Sequence, residues 1–387
     1  MKTICLHNGT VLTGFAAMER CAVLIEDGLV ADVFSQRRFE QKHFSSDVKI
    51  IDAGGAYIAP GFIDTHIHGF GGYGTDDFSA ESVVEMSRRL VKCGVTAFNP
   101  TLYPTEDMRR AVAATAKAMG KEAGARIMGL HLEGPFLSPA RLGVQRPETV
   151  KPVDISLMEQ LWEASKGRIV NMTVAPELRG MRELALFCIK KGIVLQAGHT
   201  DAAYENMVEG MQVGILHSTH LFNAMSKLDH RNPNAVGAIL IHPEMTCEIV
   251  ADGCHVHPDL FKLLMRDKPI DNIVLVTDSL KPTEQAQGPF FANGEEVVFH
   301  DGRFHRKSDD VIAGSALTMI QGVKNLVSFG FSLEDAVKTA SSNPARIMRY
   351  TRKGSIIPGY DADLVVFDKY FTVLAVMANG ALKHTIL

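Results

Sequence analysis

The stretch Phe62-Ile63-Asp64-Thr65-His66-Ile67-His68-Gly69 begins as an apolar strand and ends in two histidines and a glycine. A two-residue spacing aims both imidazoles to the same side of a strand. The segment that follows, Ala80–Cys93, carries Val83, Val84, Met86, Leu90 and Val91 at helical spacing. The same alternation recurs down the chain. Further strands are expected at Val95–Pro100, Ile127–Leu132, Ile169–Val174, Ile193–Ala197, Ile215–His220, Cys247–Ala251 and Ile273–Thr277, most of them followed by an amphipathic helix. Short apolar runs suit buried parallel strands, and their alternation with helices argues for βαβ units. Eight such runs predict a closed (β/α)8 TIM-like barrel rather than an open doubly wound sheet.

Outward from this region the pattern changes. Near the start, β-forming runs at Thr10–Leu12, Ala22–Glu26, Leu29–Phe34 and Val48–Ile51 are separated by Gly and Asp turns. The pattern returns late, at Gly354–Ile357, Asp363–Asp368, Thr372–Met377 and Ala381–Ile386, the last two joined by an Asn379-Gly380 hairpin turn. Two β-rich ends of similar character predict one small β-sandwich domain assembled from both termini. The expected division is residues 1–57 plus 355–387 for that domain and 58–354 for the barrel.

Composition excludes several classes. The chain has 387 residues, 46% of them hydrophobic, enough for one barrel of about 250–300 residues and a smaller module. A net charge of −4 without any Lys or Arg run argues against nucleic acid, so an anionic ligand must be held by a few local residues. No segment reaches the ~18 uninterrupted apolar residues of a membrane span, and the N-terminal residues have no apolar stretch of signal-peptide length. Six cysteines are scattered without a Cys-x-x-Cys pair. They read as reduced, mostly buried thiols in a cytoplasmic protein.

In a barrel of this kind catalytic groups sit at strand C-termini, around one mouth. The first strand ends in His66 and His68, the third in His131-Leu132-Glu133-Gly134-Pro135, and the fifth in Gly198-His199-Thr200-Asp201. The sixth ends in His217-Ser218-Thr219-His220, the seventh in Asp252-Gly253-Cys254-His255, and the eighth in Thr277-Asp278. Neutral imidazoles and carboxylates suit Zn, Fe or another divalent transition metal. A lone histidine at a strand end is more often a hydrogen-bonded structural residue than a ligand, and His131, His217 and His257 are read that way. Glu133, His199 and His220 are read as ligands, because three strands agree and a buried carboxylate without a partner is expensive. His66 and His68 fit either a ligand pair or hydrogen bonding within the mouth.

These residues carry a resemblance. Pro60-Gly61-Phe62-Ile63-Asp64-Thr65-His66-Ile67-His68-Gly69, with the late Pro358-Gly359-Tyr360-Asp361-Ala362-Asp363-Leu364, resembles the amidohydrolase superfamily. His131–Phe136, Gly198-His199-Thr200, Thr219–Met225, Asp252-Gly253-Cys254-His255 and Gly314–Met319 are similar to the N-acetylglucosamine-6-phosphate deacetylases within it. The match runs in order through nearly the whole chain. It implies a metal-dependent hydrolase barrel whose principal metal is held by Glu133, His199 and His220. It implies Asp278 as acid/base, His255 as oxyanion stabiliser and substrate contact, and substrate contacts from Asn223, Ala224, Asp252 and Ile312-Ala313-Gly314. Arg231, in the loop after the sixth strand, matches a phosphate-binding arginine given across a homodimer interface to the neighbouring site; on its own it reads as a solvated loop charge.

Two positions vary within that family. Some members lack the His-x-His and bind one metal; with His66 and His68 present, the resemblance allows a second site held by these two, with Glu133 bridging and Asp278 nearby. Where many members place a substrate-contacting histidine, this chain has Val144 and Gln145. An amide hydrogen-bonds a sugar hydroxyl but carries no charge. The expected reaction is hydrolysis of the acetamide of N-acetylglucosamine 6-phosphate to glucosamine 6-phosphate and acetate. The alternatives are the galactosamine epimer, another N-acyl or cyclic amide, and an inactive barrel scaffold. Relatives that bridge two metals with a carboxylated lysine are disfavoured, since no Lys ends a strand at the mouth.

Overall fold

Eight parallel strands follow one another around a barrel in this computed structural model, which describes residues 3–285 and 287–387. They are Phe62–Ile67, Val95–Leu102, Leu130–Glu133, Ile169–Val174, Val194–Ala197, His217–Ser218, Thr246–Val250 and Ile273–Val276. Each pairs in parallel with the next from the first to the eighth. Every residue of the first, second, third, seventh and eighth strands is buried, which explains why their sequences run apolar without alternating.

Between the eighth strand and the first no ladder forms among the described residues, and the barrel is closed there by other means. The Asp278 N–H donates to the His66 carbonyl at 2.9 Å. The Thr277 hydroxyl donates to the Asp64 carboxylate at 2.6 Å, and the Thr277 N–H donates to it at 3.3 Å. Burial, against these hydrogen bonds, pushes the Asp64 carboxyl up to about 7.

The helix after the first strand runs over Ala80–Leu90, shorter than expected. Ser79 caps it by accepting from the Ser82 N–H, and a 3-10 turn over Val91–Cys93 carries the chain to Gly94. The third strand is broken: Arg126–Ile127 pairs with the second strand, and the ladder resumes only at Leu130. The sixth strand is confined to His217–Ser218, so residues 219–222 leave the sheet early.

The terminal β unit, expected as a sandwich, is built from a single sheet that branches. Ala381–Thr385, Val373–Ala378, Leu364–Phe367, Tyr57–Pro60, Thr3–Leu12, Ala17–Glu26 and Leu29–Ser35 lie side by side in that order. Lys49–Asp52 joins Thr3–Leu12 over Ile4–His7, while Tyr57–Ile58 joins it over Thr10–Val11. The sheet therefore extends to Pro60, beyond the expected break after residue 57. Gly354–Ile357, expected as a strand, is turn and coil.

After the eighth strand the chain forms an antiparallel meander that the sequence reading passed over. Its strands are Phe290–Ala292, Glu295–His300, Arg303–Arg306 and Ile312–Ser315. The Asn293-Gly294 and Asp301-Gly302 turns between alternating runs were the signal for it. No helix among the described residues is long and apolar enough to cross a membrane.

Candidate active site and metal centre

The strand ends converge on a cavity of about 270 Å³ at the mouth, with Glu133, His199, His220, His68 and Asp278 in its wall. His199, His220 and Asp278 each leave their strands with a positive φ, at 45°, 22° and 51°. Such conformations cost about 1–3 kcal/mol in a non-glycine residue and gather at functional sites. Here they turn three ligand-type side chains inward over the barrel axis.

One set of donors is tight. Glu133 Oε1 lies 3.1 Å from His199 Nε2 and 3.1 Å from His220 Nε2, and the two nitrogens are 3.3 Å apart. His199 Nδ1 donates to the Arg141 carbonyl at 3.0 Å, which leaves Nε2 free to accept a metal. The other set is looser. Asp278 Oδ1 lies 3.6 Å from His66 Nε2 and 3.5 Å from His68 Nε2. Glu133 joins the sets: its Oε1 is 3.5 Å from His66 Nε2 and its Oε2 is 3.4 Å from His68 Nε2. A Cβ on Gly69 would fall 2.5 Å from the Lys281 backbone, so the residue after this pair must be glycine for the loop to pass.

The charge balance suits a cation. Glu133 and Asp278 are buried, and every ion-pair partner they have is an imidazole; no Lys or Arg among the described residues reaches them. Burial works against the Glu133 anion, but His199, His220 and His68 hold its carboxyl well below the usual range. Burial pulls the His66 imidazole down, but Glu248, Asp278 and Glu133 push it up to about 10. His66 Nε2 is buried without a hydrogen-bond partner and stands between two carboxylates. Orphaned buried nitrogens facing buried carboxylates are a donor set that fits divalent metals.

The remaining expected residues fall in three places. Val144, Gln145, Asn223, Ala224, His255 and Ile312-Ala313-Gly314 line the cavity. Gln145 is buried and donates to Glu133 Oε2 at 2.6 Å. Asp252, expected at the substrate, stands instead behind His255. It accepts the backbone N–H of Cys254 and of His255, each at 2.8 Å, and holds His255 Nδ1 at 2.6 Å. Burial lowers the His255 pKa, but Asp252 more than offsets this and raises it. Arg231 lies outside the cavity, exposed on its loop.

His131 is held between Thr101 and Thr173, and His217 against Thr246, so both are structural as read. His257 is an exposed helix cap. A third group of donor-type side chains, His300, His305 and Asp310, sits on the outer meander, where Arg303 Nε occupies His305 Nε2. Two residues were missed. Tyr103 stacks on His68 with ring centroids 3.8 Å apart, and Glu248 meets His66 Nδ1 at 2.9 Å. A carboxylate inside the apolar run Thr246–Val250 was the available signal for the second.

Residues 57–383 match the amidohydrolase family model. An N-acetylglucosamine-6-phosphate deacetylase of Bacillus subtilis is 33% identical over 98% of this chain and 96% of its own length. An N-acetylgalactosamine-6-phosphate deacetylase of Escherichia coli O157:H7 is 28% identical over 87% of this chain and 90% of its own. A Mycobacterium smegmatis N-acetyl-D-glucosamine-6-phosphate deacetylase mutant, solved in complex with N-acetyl-D-glucosamine-6-phosphate, superposes with a TM-score of 0.92. It is 28% identical and covers both chains completely.

Proposed function

The chain belongs to the amidohydrolase family, and from that premise we propose that it hydrolyses the acetamide of N-acetyl-D-glucosamine 6-phosphate to D-glucosamine 6-phosphate and acetate. The observation that carries this reading is the pair of buried carboxylates, Glu133 and Asp278, set among four imidazoles at the cavity floor.

Glu133, His199 and His220 would hold a principal divalent metal, Zn or Fe by donor type, and His66, His68 and Asp278, with Glu133 close by, would hold a second. A bound divalent cation supplies Lewis acidity, polarising a carbonyl and lowering the pKa of water from 15.7 towards about 7. Asp278 takes a proton from the attacking water as oxygen bonds to the acetamide carbon and the carbonyl electrons move onto oxygen. His255, fixed by Asp252 and with its pKa raised, donates from Nε2 to that oxyanion. Asp278 then returns the proton to nitrogen as the C–N bond breaks. A single carboxylate can serve both steps because it faces the water and the leaving nitrogen alike. Gln145, Asn223, Ala224 and the Ile312–Gly314 edge border the space for the sugar.

The phosphate needs a cation, and no Lys or Arg lines the cavity among the described residues. That supports a homodimer in which Arg231 of each chain reaches the other's site, where its planar fork suits bidentate phosphate binding. Cys5, Cys21, Cys188 and Cys247 are buried, unpaired thiols, which supports a cytoplasmic enzyme. Acetate release from the two epimeric sugar phosphates is the test. Turnover of the gluco epimer well above the galacto epimer is expected, and the reverse order would overturn the substrate assignment.

A further inference from the structure

We infer that Glu248 is the positioning residue of the second cation site, fixing His66 with Nδ1 protonated and Nε2 open towards Asp278 and Glu133. This rests on the reading of His66 as a ligand.

Glu248 lies in the middle of the seventh strand, fully buried beneath the cavity floor. Its Oε2 is 2.9 Å from His66 Nδ1 and also faces the His220 backbone N–H at 3.3 Å. Its Oε1 accepts from Gln196 Nε2 at 2.8 Å. Behind Gln196 a directional chain of hydrogen bonds crosses the barrel interior. The Tyr350 hydroxyl donates to Asn99 Oδ1 at 2.7 Å, and Asn99 Nδ2 donates to Asn171 Oδ1 at 3.1 Å. Asn171 Nδ2 then donates to Gln196 Oε1 at 2.6 Å.

Every amide in that chain is committed to one orientation, because flipping any of them sets two donors or two acceptors face to face. The chain ends on an ionised carboxylate, which can only accept. His66 must therefore donate from Nδ1, and a neutral imidazole so protonated carries its lone pair on Nε2. That nitrogen has no hydrogen-bond partner and faces Glu133 Oε1 at 3.5 Å and Asp278 Oδ1 at 3.6 Å. Two anions facing Nε2 call for positive charge there, a proton in the metal-free protein and a cation in the loaded one, while Nδ1 keeps its proton in both. Carboxylate–histidine–metal arrangements of this type orient a ligand and raise its basicity.

Glu248→Gln tests the assignment without changing shape. If the new amide keeps its oxygen towards Gln196, its NH2 faces His66 Nδ1 and drives the proton to Nε2, into the cation's place. If it turns the other way, two NH2 groups meet. Titration of metal-free protein with Zn²⁺ against a competing chelator reads both cation equivalents. The first equivalent is expected to be unchanged, serving as the folding control, and the second weakened by roughly 10–100-fold. Nitrogen-15 NMR of the Zn²⁺-loaded protein should show His66 protonated at Nδ1 and unprotonated at Nε2 in wild type, and that pattern should be lost in the variant. Two unchanged equivalents would overturn the inference, and so would loss of both in a folded protein. Should Glu248→Gln fail to fold, Glu248→Asp withdraws the carboxylate from His66 and predicts the same selective loss. His66→Asn separates the two readings. If it removes the second equivalent while Glu248→Gln spares it, only the role of Glu248 falls; if it spares both, the ligand reading itself falls.

Discussion

The two halves of the candidate metal centre are built differently. Glu133, His199 and His220 close on one another at 3.1–3.3 Å, whereas His66, His68 and Asp278 stand 3.5–3.6 Å from carboxylate to nitrogen. The tight set rises from the third, fifth and sixth strands, which belong to a continuous ladder. The loose set rises from the first and eighth strands, across the seam where no ladder forms among the described residues. Where backbone hydrogen bonds fix the strand ends, the donors need little further support. Across the seam, isolated backbone bonds such as Asp278 N–H to the His66 carbonyl and His68 N–H to the Ser279 carbonyl are supplemented by side chains: Asp64 with Thr277, Glu248 beneath His66, and Tyr103 stacked on His68. The account therefore expects the tight set to dominate metal retention and the loose set to tune the chemistry.

Glu133 belongs to both sets, so its loss should have the largest effect. Glu133→Gln is expected to bring acetate release to the assay floor and to strip metal from both sites. The fold should survive, because the barrel core does not depend on its mouth. Metal analysis and circular dichroism check this, and full metal content with near-normal turnover would refute the ligand assignment.

Asp278→Asn removes a carboxylate from the loose set alone. A fall in kcat on the order of 10²–10⁴ with KM little altered is expected, with the principal metal retained. Burial favours protonated Asp278, but His68 and His66 hold its carboxyl low. The base therefore stays ionised as pH falls, until the acidic limb of the rate profile is reached. That limb should vanish in the variant. Turnover within a few-fold of wild type, with metal intact, contradicts the acid/base role.

Arg231→Ala leaves both donor sets untouched. Loss of a charge-assisted contact of about 1.5–3 kcal/mol should raise KM for the phosphorylated sugar roughly 10–100-fold and leave unphosphorylated N-acetylglucosamine unaffected. Equal losses on both substrates, or an active monomer in sedimentation, would break the dimer reading. The smallest effect is expected at the seam. Thr277→Val deletes one hydrogen bond to buried Asp64, costing about 1.5–3 kcal/mol and lowering Tm by several degrees, with activity changed little. An unaltered Tm would mean that the seam is held by the backbone alone.

The sequence made some of this legible because barrel strands are short, doubly buried and punctuated by polar residues at one end. Glu133, His199 and His220 could be proposed as ligands from that position alone, whereas the role of Asp278 came from the resemblance. The resemblance was needed for Asn223, Ala224 and Arg231, which lie on loops with no periodic signal, and for the Ile312–Gly314 edge, which lies on the last strand of the meander. Glu248 was overlooked because a strand position says which side chains share a face, but not which imidazole on another strand they meet. Asp252 was placed at the substrate because it shares a short motif with His255, yet the turn it caps directs it backwards. The meander after residue 290 carried clear turn signals, but its short, half-exposed strands lack the apolar runs that mark the barrel strands.

Anomalous X-ray scattering from crystals of the metal-loaded protein, recorded at the metal's absorption edge, tests the central claim of two unequal halves sharing Glu133 most directly. A strong peak is expected among Glu133, His199 and His220 and a second, weaker peak among His66, His68 and Asp278, with Glu133 between them. A single peak, or a stronger one at His66, His68 and Asp278, would contradict it.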